Sequence, residues 1–172
     1  MSEGTIKTQS SLSAAVDRLS TNTPRWTNER LIDEGLDLIR DYCWAGSSAL
    51  YGTRGGSAEL IRVRPSTHPL EEPATISDTW FPWGLAAMNP ERFIFVEQAE
   101  QLPALPCGSA TLGDLGIRSC LHLPILERRR PVGFLQVFWP EPRLVWDDDI
   151  GQILRSLGRF LLSMAVTERQ AP

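Results

Sequence analysis

The sequence predicts an α+β fold: a central antiparallel sheet with terminal helices on one face and connecting segments forming a ligand-pocket side on the other. Three observations predict it. Two stretches read as β-hairpins, one built from 116–125 and 131–138 and the other around the turn Arg54-Gly55-Gly56-Ser57. Amphipathic helical patterns stand at both ends of the chain, beginning near Thr27 and near Trp146. Along the larger hairpin, side-chain type alternates with the period of a strand and separates an aliphatic face from a mixed one.

Taken in order, residues 1–23 are dominated by Ser and Thr, and only Leu12, Val16 and Leu19 show helical spacing. A flexible tail with one short helix is expected there. Pro24-Arg25-Trp26 closes the tail, and a single domain is expected over 24–170. Thr27 or Asn28 caps a helix in which Leu31, Ile32, Gly35, Leu36, Leu38, Ile39, Tyr42 and Cys43 share one arc at about 100° per residue. Gly46 is the expected stop. Strands follow at 48–53 and 58–64. Prolines then interrupt the chain until Thr75-Ile76-Ser77-Asp78, which can cap a short helix carrying Trp80, Phe81, Trp83, Leu85 and Met88 and ending at Asn89-Pro90. Phe93-Ile94-Phe95-Val96 reads as a short strand, and 109–115 as a helical turn leading into the larger hairpin. Asp147, Asp148 and Asp149 place carboxylates at the positive end of the last helix.

Function enters through the two faces of the larger hairpin. Leu121, Leu123 and Ile125 share one side with Leu135 and Val137, which suits packing on helices. Cys120 and His122 fall on the other side of the first arm, and Phe134, Gln136 and Phe138 on the other side of the second. A purely structural sheet rarely needs a face furnished with aromatic and polar groups, so that side is expected to look into a pocket. Trp80, Phe81 and Trp83 are a heavy aromatic load for one short helix, each able to bury on the order of 150–250 Å². They either help wall the cavity or plug the end of the domain. The candidate ligand-binding residues are therefore Trp80, Phe81, Trp83, Phe95, Cys120, His122, Gln136 and Phe138. Imidazole titrates near neutrality, so His122 makes ligand binding pH-dependent where it meets an anionic group; the alternative is a neutral, hydrogen-bonded histidine.

Composition excludes several classes. A chain of 172 residues with 42% hydrophobic content can close one core, and its net charge of −4 opposes a nucleic-acid or anionic-membrane surface. The one basic cluster, Arg128-Arg129-Arg130, falls at a hairpin corner, where solvated charge is the plainer reading. Cys43, Cys107 and Cys120 are odd in number and lack CxxC spacing, against both a disulfide framework and a structural zinc site. Reduced cysteines imply the cytoplasm, and no apolar run approaches the ~18 residues of a membrane span. Cys120 and His122 lie about 7 Å apart on one side of a strand, close enough for a thiolate–imidazole pair or two metal ligands. No third ligand follows from the spacing, and neither a metal nor a catalytic residue is assigned.

With these elements in place the chain resembles the GAF domain, a small-molecule sensory module of signalling proteins. The resemblance runs from about Thr27 to Arg169. It rests on Leu115-Gly116-Ile117-Arg118-Ser119 leading to Leu123-Pro124-Ile125, then Val132-Gly133-Phe134-Leu135, then Trp146 and a helix ending near Glu168-Arg169. Trp80-Phe81-Pro82-Trp83 resembles a subgroup attached to bacterial sensor kinases. The resemblance implies a bacterial, cytoplasmic, non-enzymatic sensor that holds a ligand on one face of its sheet and signals through terminal helices. The implied partners are a small-molecule ligand, a second copy of the chain and a downstream output domain or protein. Asn89-Pro90-Glu91-Arg92-Phe93 departs from the signature of cyclic-nucleotide-binding members, and Cys120-Leu121-His122 departs from the adjacent Cys and His of bilin-attaching members. The cofactor is left open.

Three function classes stand: a ligand-sensing dimeric module, a Cys-dependent redox enzyme of the GAF type, and a ligand-free dimerisation domain. The dimer expectation comes from the last helix. Ile150, Ile153, Leu154, Leu157, Phe160, Leu161 and Met164 form an apolar arc suited to the sheet. Gly151, Gly158, Leu162, Ala165 and Val166 form a second flank, expected to meet a partner helix.

Overall fold

The computed structural model describes residues 14, 16–54, 57–65, 75–76, 93–99, 116–128, 130–143 and 148–169. Helix α1 covers 16–22. It is followed by α2 (Asn28–Cys43), β1 (Ser47–Arg54), β2 (Ser57–Arg64), β3 (Thr75–Ile76), β4 (Ile94–Val96), β5 (Ser119–Glu127), β6 (Arg130–Trp139) and α3 (Asp148–Arg169). The strands form a six-stranded sheet in the order β3-β2-β1-β6-β5-β4, with every pairing antiparallel. Both expected hairpins are present, and β1 of the first lies against β6 of the second, with Leu50 opposite Leu135 and Tyr51 opposite Phe134. The fold is α+β, as the sequence predicts. The short helix expected around Trp80 and the helical turn at 109–115 lie outside the described residues.

Alternation along the strands divides the core into two layers. On the helix side, Leu50, Leu121, Leu123, Ile125, Leu135 and Val137 pack with Ile32, Leu36 and Ile39 of α2 and Leu154, Leu157 and Leu161 of α3. The opposite face gathers Ala49, Tyr51, Val63, Val96, Cys120, Phe134 and Phe138. Both faces are buried, which is why β5 and β6 read as nearly continuous buried runs over Ser119–Ile125 and Gly133–Trp139.

Helix α2 starts where its cap residue dictates: the Thr27 hydroxyl accepts from the Arg30 amide at 3.3 Å. It ends at Cys43, three residues before Gly46. Trp44 adopts the left-handed conformation (φ 53°), its amide donates to the Asp41 carbonyl, and the Ala45 amide donates to the Arg40 carbonyl. These two bonds make a Schellman cap, a position that usually holds glycine because a Cβ is strained there. The Trp44 side chain is 80% exposed, so little packing offsets that strain. Trp44→Gly is expected to stabilise the domain by about 0.5–1 kcal/mol in urea denaturation; a lower midpoint would show that the indole makes a contact worth more than the strain. Over β2, Arg64 holds the Asp37 carboxylate at 2.7 Å, and Arg62 reaches Glu29 and Asp33 at 3.4 Å. These half-exposed pairs orient α2 more than they stabilise it.

The helices bear on two sequence expectations. The short helix expected within 1–23 is α1, and its Leu19 is buried in the helix-side core. On α3 the second flank is not free for a partner. Gly151, Gly158, Leu162 and Ala165 are buried, and a Cβ on Gly158 would touch Ile125 and Leu135 of the sheet. Leu162 sits over Gly133 and Gly52. The sheet-facing stripe thus runs through Leu157, Leu161, Leu154, Ala165, Gly158, Gly151 and Leu162, while Ile150, Ile153, Phe160 and Met164 are only half-buried. Of the expected seam, Val166 alone is exposed, at 47%.

Candidate functional site

The face of the sheet opposite α2 and α3 is organised by cross-strand register. One row runs Val96, Cys120, Phe138, Ser47; the next Ile94, His122, Gln136, Ala49, Val63; the third begins Pro124, Phe134, Tyr51. Side chains opposite one another on a single face lie about 5 Å apart, and diagonal ones about 7–8 Å. Rings link these rows: Tyr51 stacks on Phe134 at 4.5 Å between centroids, and His122 lies 4.3 Å from Phe134 on the diagonal. The result is three rings in series across β1, β6 and β5. Beside them, the Gln136 amide nitrogen lies 2.9 Å from His122 Nδ1. That nitrogen donates, so His122 carries its proton on Nε2 and is neutral.

Burial decides the charge states here. His122 is pushed down to about 3 by desolvation of its charged form, while Cys120 is pushed up to about 12 for the same reason. Tyr51 is also held above its usual range by burial. The histidine expected to switch near neutrality is therefore the neutral, hydrogen-bonded alternative, because no anion compensates its desolvation among the described residues. A thiolate–imidazolium pair is opposed from both sides, since Cys120 is kept a thiol and His122 a neutral base. Cys43, half-buried beside the helix-side core, is likewise kept a thiol, raised to about 12 by desolvation. Among the described residues no three His, Cys, Asp or Glu side chains come together to hold a metal ion.

A pH experiment follows from His122. The unfolded chain binds a proton near 6.5 and the folded one only near 3, so the unfolded state is favoured as pH falls through that window. The contribution is complete above 6.5 and is lost at up to about 1.4 kcal/mol per pH unit below it. His122→Phe is expected to flatten the urea midpoint between pH 6.5 and 5 relative to the wild type. Parallel curves for the two proteins would show that the imidazole titrates normally.

Of the residues expected at the site, Cys120, His122, Gln136 and Phe138 lie together on this face. Phe95 does not. It pairs with Leu121, so it points with Leu121 toward the helices, where its ring meets Trp139 edge-on at 6.2 Å. Its neighbours Ile94 and Val96 are the β4 residues that share the site's face. Trp80, Phe81 and Trp83 lie outside the described residues. Tyr51, Phe134 and Ser47 belong to the face but were not among the expected site residues. The signal for Tyr51 was its parity, opposite to that of Leu50 on the same strand.

The family model for the GAF domain matches residues 27–162. The chain belongs to the GAF family. No curated protein matches it. Among solved structures, this GAF domain is similar to one from an Acinetobacter phosphoenolpyruvate-protein phosphotransferase (TM-score 0.70, 15% identity, covering 98% of this chain and 97% of that one). It is also similar to the phycoerythrobilin-bound GAF domain of a cyanobacterial phytochrome (TM-score 0.70, 14% identity, 92% and 98% covered). A domain of a putative two-component sensor histidine kinase from Sinorhizobium meliloti 1021 aligns at TM-score 0.63 and 17% identity, with 83% and 97% covered. At these identities the likeness establishes the fold. Among the described residues, no helix of this GAF domain is long and apolar enough to cross a membrane.

Proposed function

We propose that this GAF domain is a cytoplasmic, non-catalytic sensor that binds a small molecule on the His122–Gln136 face and signals through a homodimer to an output domain or partner. The observation that carries the reading is the buried polar pair set into a row of rings on the face remote from the helices. Structure alone rarely calls for such a pair in a core, whereas a site that must recognise a ligand does. Solved relatives include GAF domains with a bound chromophore and domains of sensor histidine kinases, which supports the class. Hydrogen bonds between the strand ends and the helices support the signalling part of the reading. The Ser119 hydroxyl donates to the Glu97 carbonyl at the end of β4 and accepts from the Arg143 amide at 2.7 Å. Arg143 Nη2 donates to the Trp44 carbonyl at 3.2 Å. The strand ends beside the site are thereby tied to the end of α2 and to the segment leading into α3. The dimer is assigned to the outward side of the helices, where Ile153 and Phe160 are half-buried and Val166 is exposed.

A thermal-shift screen against metabolites tests the reading, since a ligand at a hundredfold its Kd adds about 2.7 kcal/mol of stability. A compound that shifts the wild type but not His122→Phe supports it. A shift of equal size in both proteins places the site elsewhere. Light scattering at tens of micromolar tests the dimer, which a monomeric wild type rules out.

A further inference from the structure

Three properties of the His122–Gln136 face restrict what it can accept. Its described side chains carry no formal charge: the polar members are Ser47, Tyr51, Cys120, His122 and Gln136, and none of them is ionised near neutral pH. Two charged residues of β2, Arg62 and Arg64, turn to the other side and pair with α2. An ionic group laid here would exchange its hydration for uncharged neighbours, an exchange that is strongly unfavourable.

The second property is a pair of buried polar atoms. Gln136 Oε1 and Ser47 Oγ are both closed off from solvent and have no hydrogen-bond partner among the described residues. Such atoms are costly in a finished core and mark a place where a partner is missing. They are complementary in kind. With the Gln136 nitrogen on His122, its oxygen can only accept; the Ser47 hydroxyl can donate.

The third property is their placement. Ser47 lies opposite Phe138 and Ala49 opposite Gln136, so the two atoms belong to diagonal neighbours flanking Ala49, the smallest side chain in the middle row. Diagonal residues stand about 7–8 Å apart between backbones, within the span of one flat group. The stacked rings of Tyr51 and Phe134 lie one row away.

We infer that the face recognises an uncharged planar ring bearing a cis-amide edge, whose N–H donates to Gln136 Oε1 and whose carbonyl accepts from Ser47 Oγ. This rests on the reading that the face is a ligand site, and it names the ligand's chemical class. Lactams and the amide edges of neutral heterocyclic bases have this chemistry. Anionic metabolites do not.

The test uses four flat bicyclic probes of similar size: carbostyril, which is a fused lactam; N-methylcarbostyril, which lacks the donor; quinoline, which lacks the amide edge; and the anion quinaldate. Binding to the full chain is followed by titration calorimetry and by the side-chain resonances of Gln136 and His122. Carbostyril is expected to bind at least about tenfold more tightly than the other three, because a site built to hydrogen-bond rejects analogues lacking the group. In Gln136→Leu and in Ser47→Ala that advantage is expected to fall toward unity. Ser47→Ala removes only an unpartnered polar atom and is expected to remain folded. Gln136→Leu also removes the donor to His122 Nδ1, so its fold is checked by circular dichroism and Ser47→Ala carries the test where it fails. Quinaldate binding as tightly as carbostyril while moving the Gln136 resonance would leave the face a ligand site but overturn its class. Quinoline or the N-methyl compound binding equally well would overturn the amide-edge recognition. A metabolite from the thermal-shift screen that leaves both resonances unmoved would remove the site, and this assignment with it.

Discussion

Leu162→Glu is expected to lower the unfolding free energy by about 4 kcal/mol or more, leaving the domain largely unfolded in modest urea. The side chain is 5% exposed and lies over Gly133 and Gly52. The substitution removes an apolar contact between α3 and the centre of the sheet and places a charge that must either remain desolvated or take up a proton. A typical domain has only about 5–15 kcal/mol in total, so the loss is a large share. Val166→Glu, on the exposed part of the same helix, is expected to change the midpoint by no more than about 0.5 kcal/mol. Urea denaturation followed by far-ultraviolet circular dichroism compares the two. A Leu162→Glu midpoint as high as that of Val166→Glu would mean that α3 is rotated away from the orientation described.

The rotation of α3 shows where sequence pattern stops carrying information. Apolar residues on this helix cover more than half its circumference, so their width does not reveal which edge meets the sheet. What decides it is the close approach at Gly158, whose missing Cβ leaves room for Ile125 and Leu135. A glycine in an apolar flank reads equally well as a seam for a partner helix. The strands behave differently. In β5 and β6 a period of two is sustained over nine and ten residues, and the partition into a helix side and a site side follows directly. Cys120, His122, Gln136 and Phe138 were legible for that reason. Strand β4 has three residues, too few to show its own period, so the side taken by Phe95 depends on its register with Leu121. The charge state of His122 was illegible for another reason: the residue type sets a titration near neutrality, but only the depth of burial moves it to about 3.

Gly133→Ala is expected to destabilise the domain by about 2–4 kcal/mol, although alanine usually improves on glycine within a strand by roughly 0.5–1 kcal/mol. The sign reverses because of one atom. A Cβ on Gly133 would stand 2.3 Å from the Tyr51 carbonyl oxygen and 2.8 Å from Leu162 Cδ2. The leucine tip can move; the carbonyl belongs to the backbone of β1, which is paired with strands on both sides. Relief of the clash therefore means shifting β1 against β6 at the centre of the sheet. Gly52, directly opposite, is the control: a Cβ there would meet the end of the Ile61 side chain at 3.3 Å and Leu162 Cδ1 at an ordinary 3.9 Å, so Gly52→Ala is expected to cost less than about 1 kcal/mol. The shift has a consequence for the site, because Gly133 precedes Phe134, the ring held between Tyr51 and His122. Gly133→Ala is accordingly expected to change the near-ultraviolet dichroism of the folded protein as well as its thermal midpoint. Equal midpoints for Gly133→Ala and Gly52→Ala would show that β1 and β6 do not approach as closely as the Tyr51 carbonyl implies.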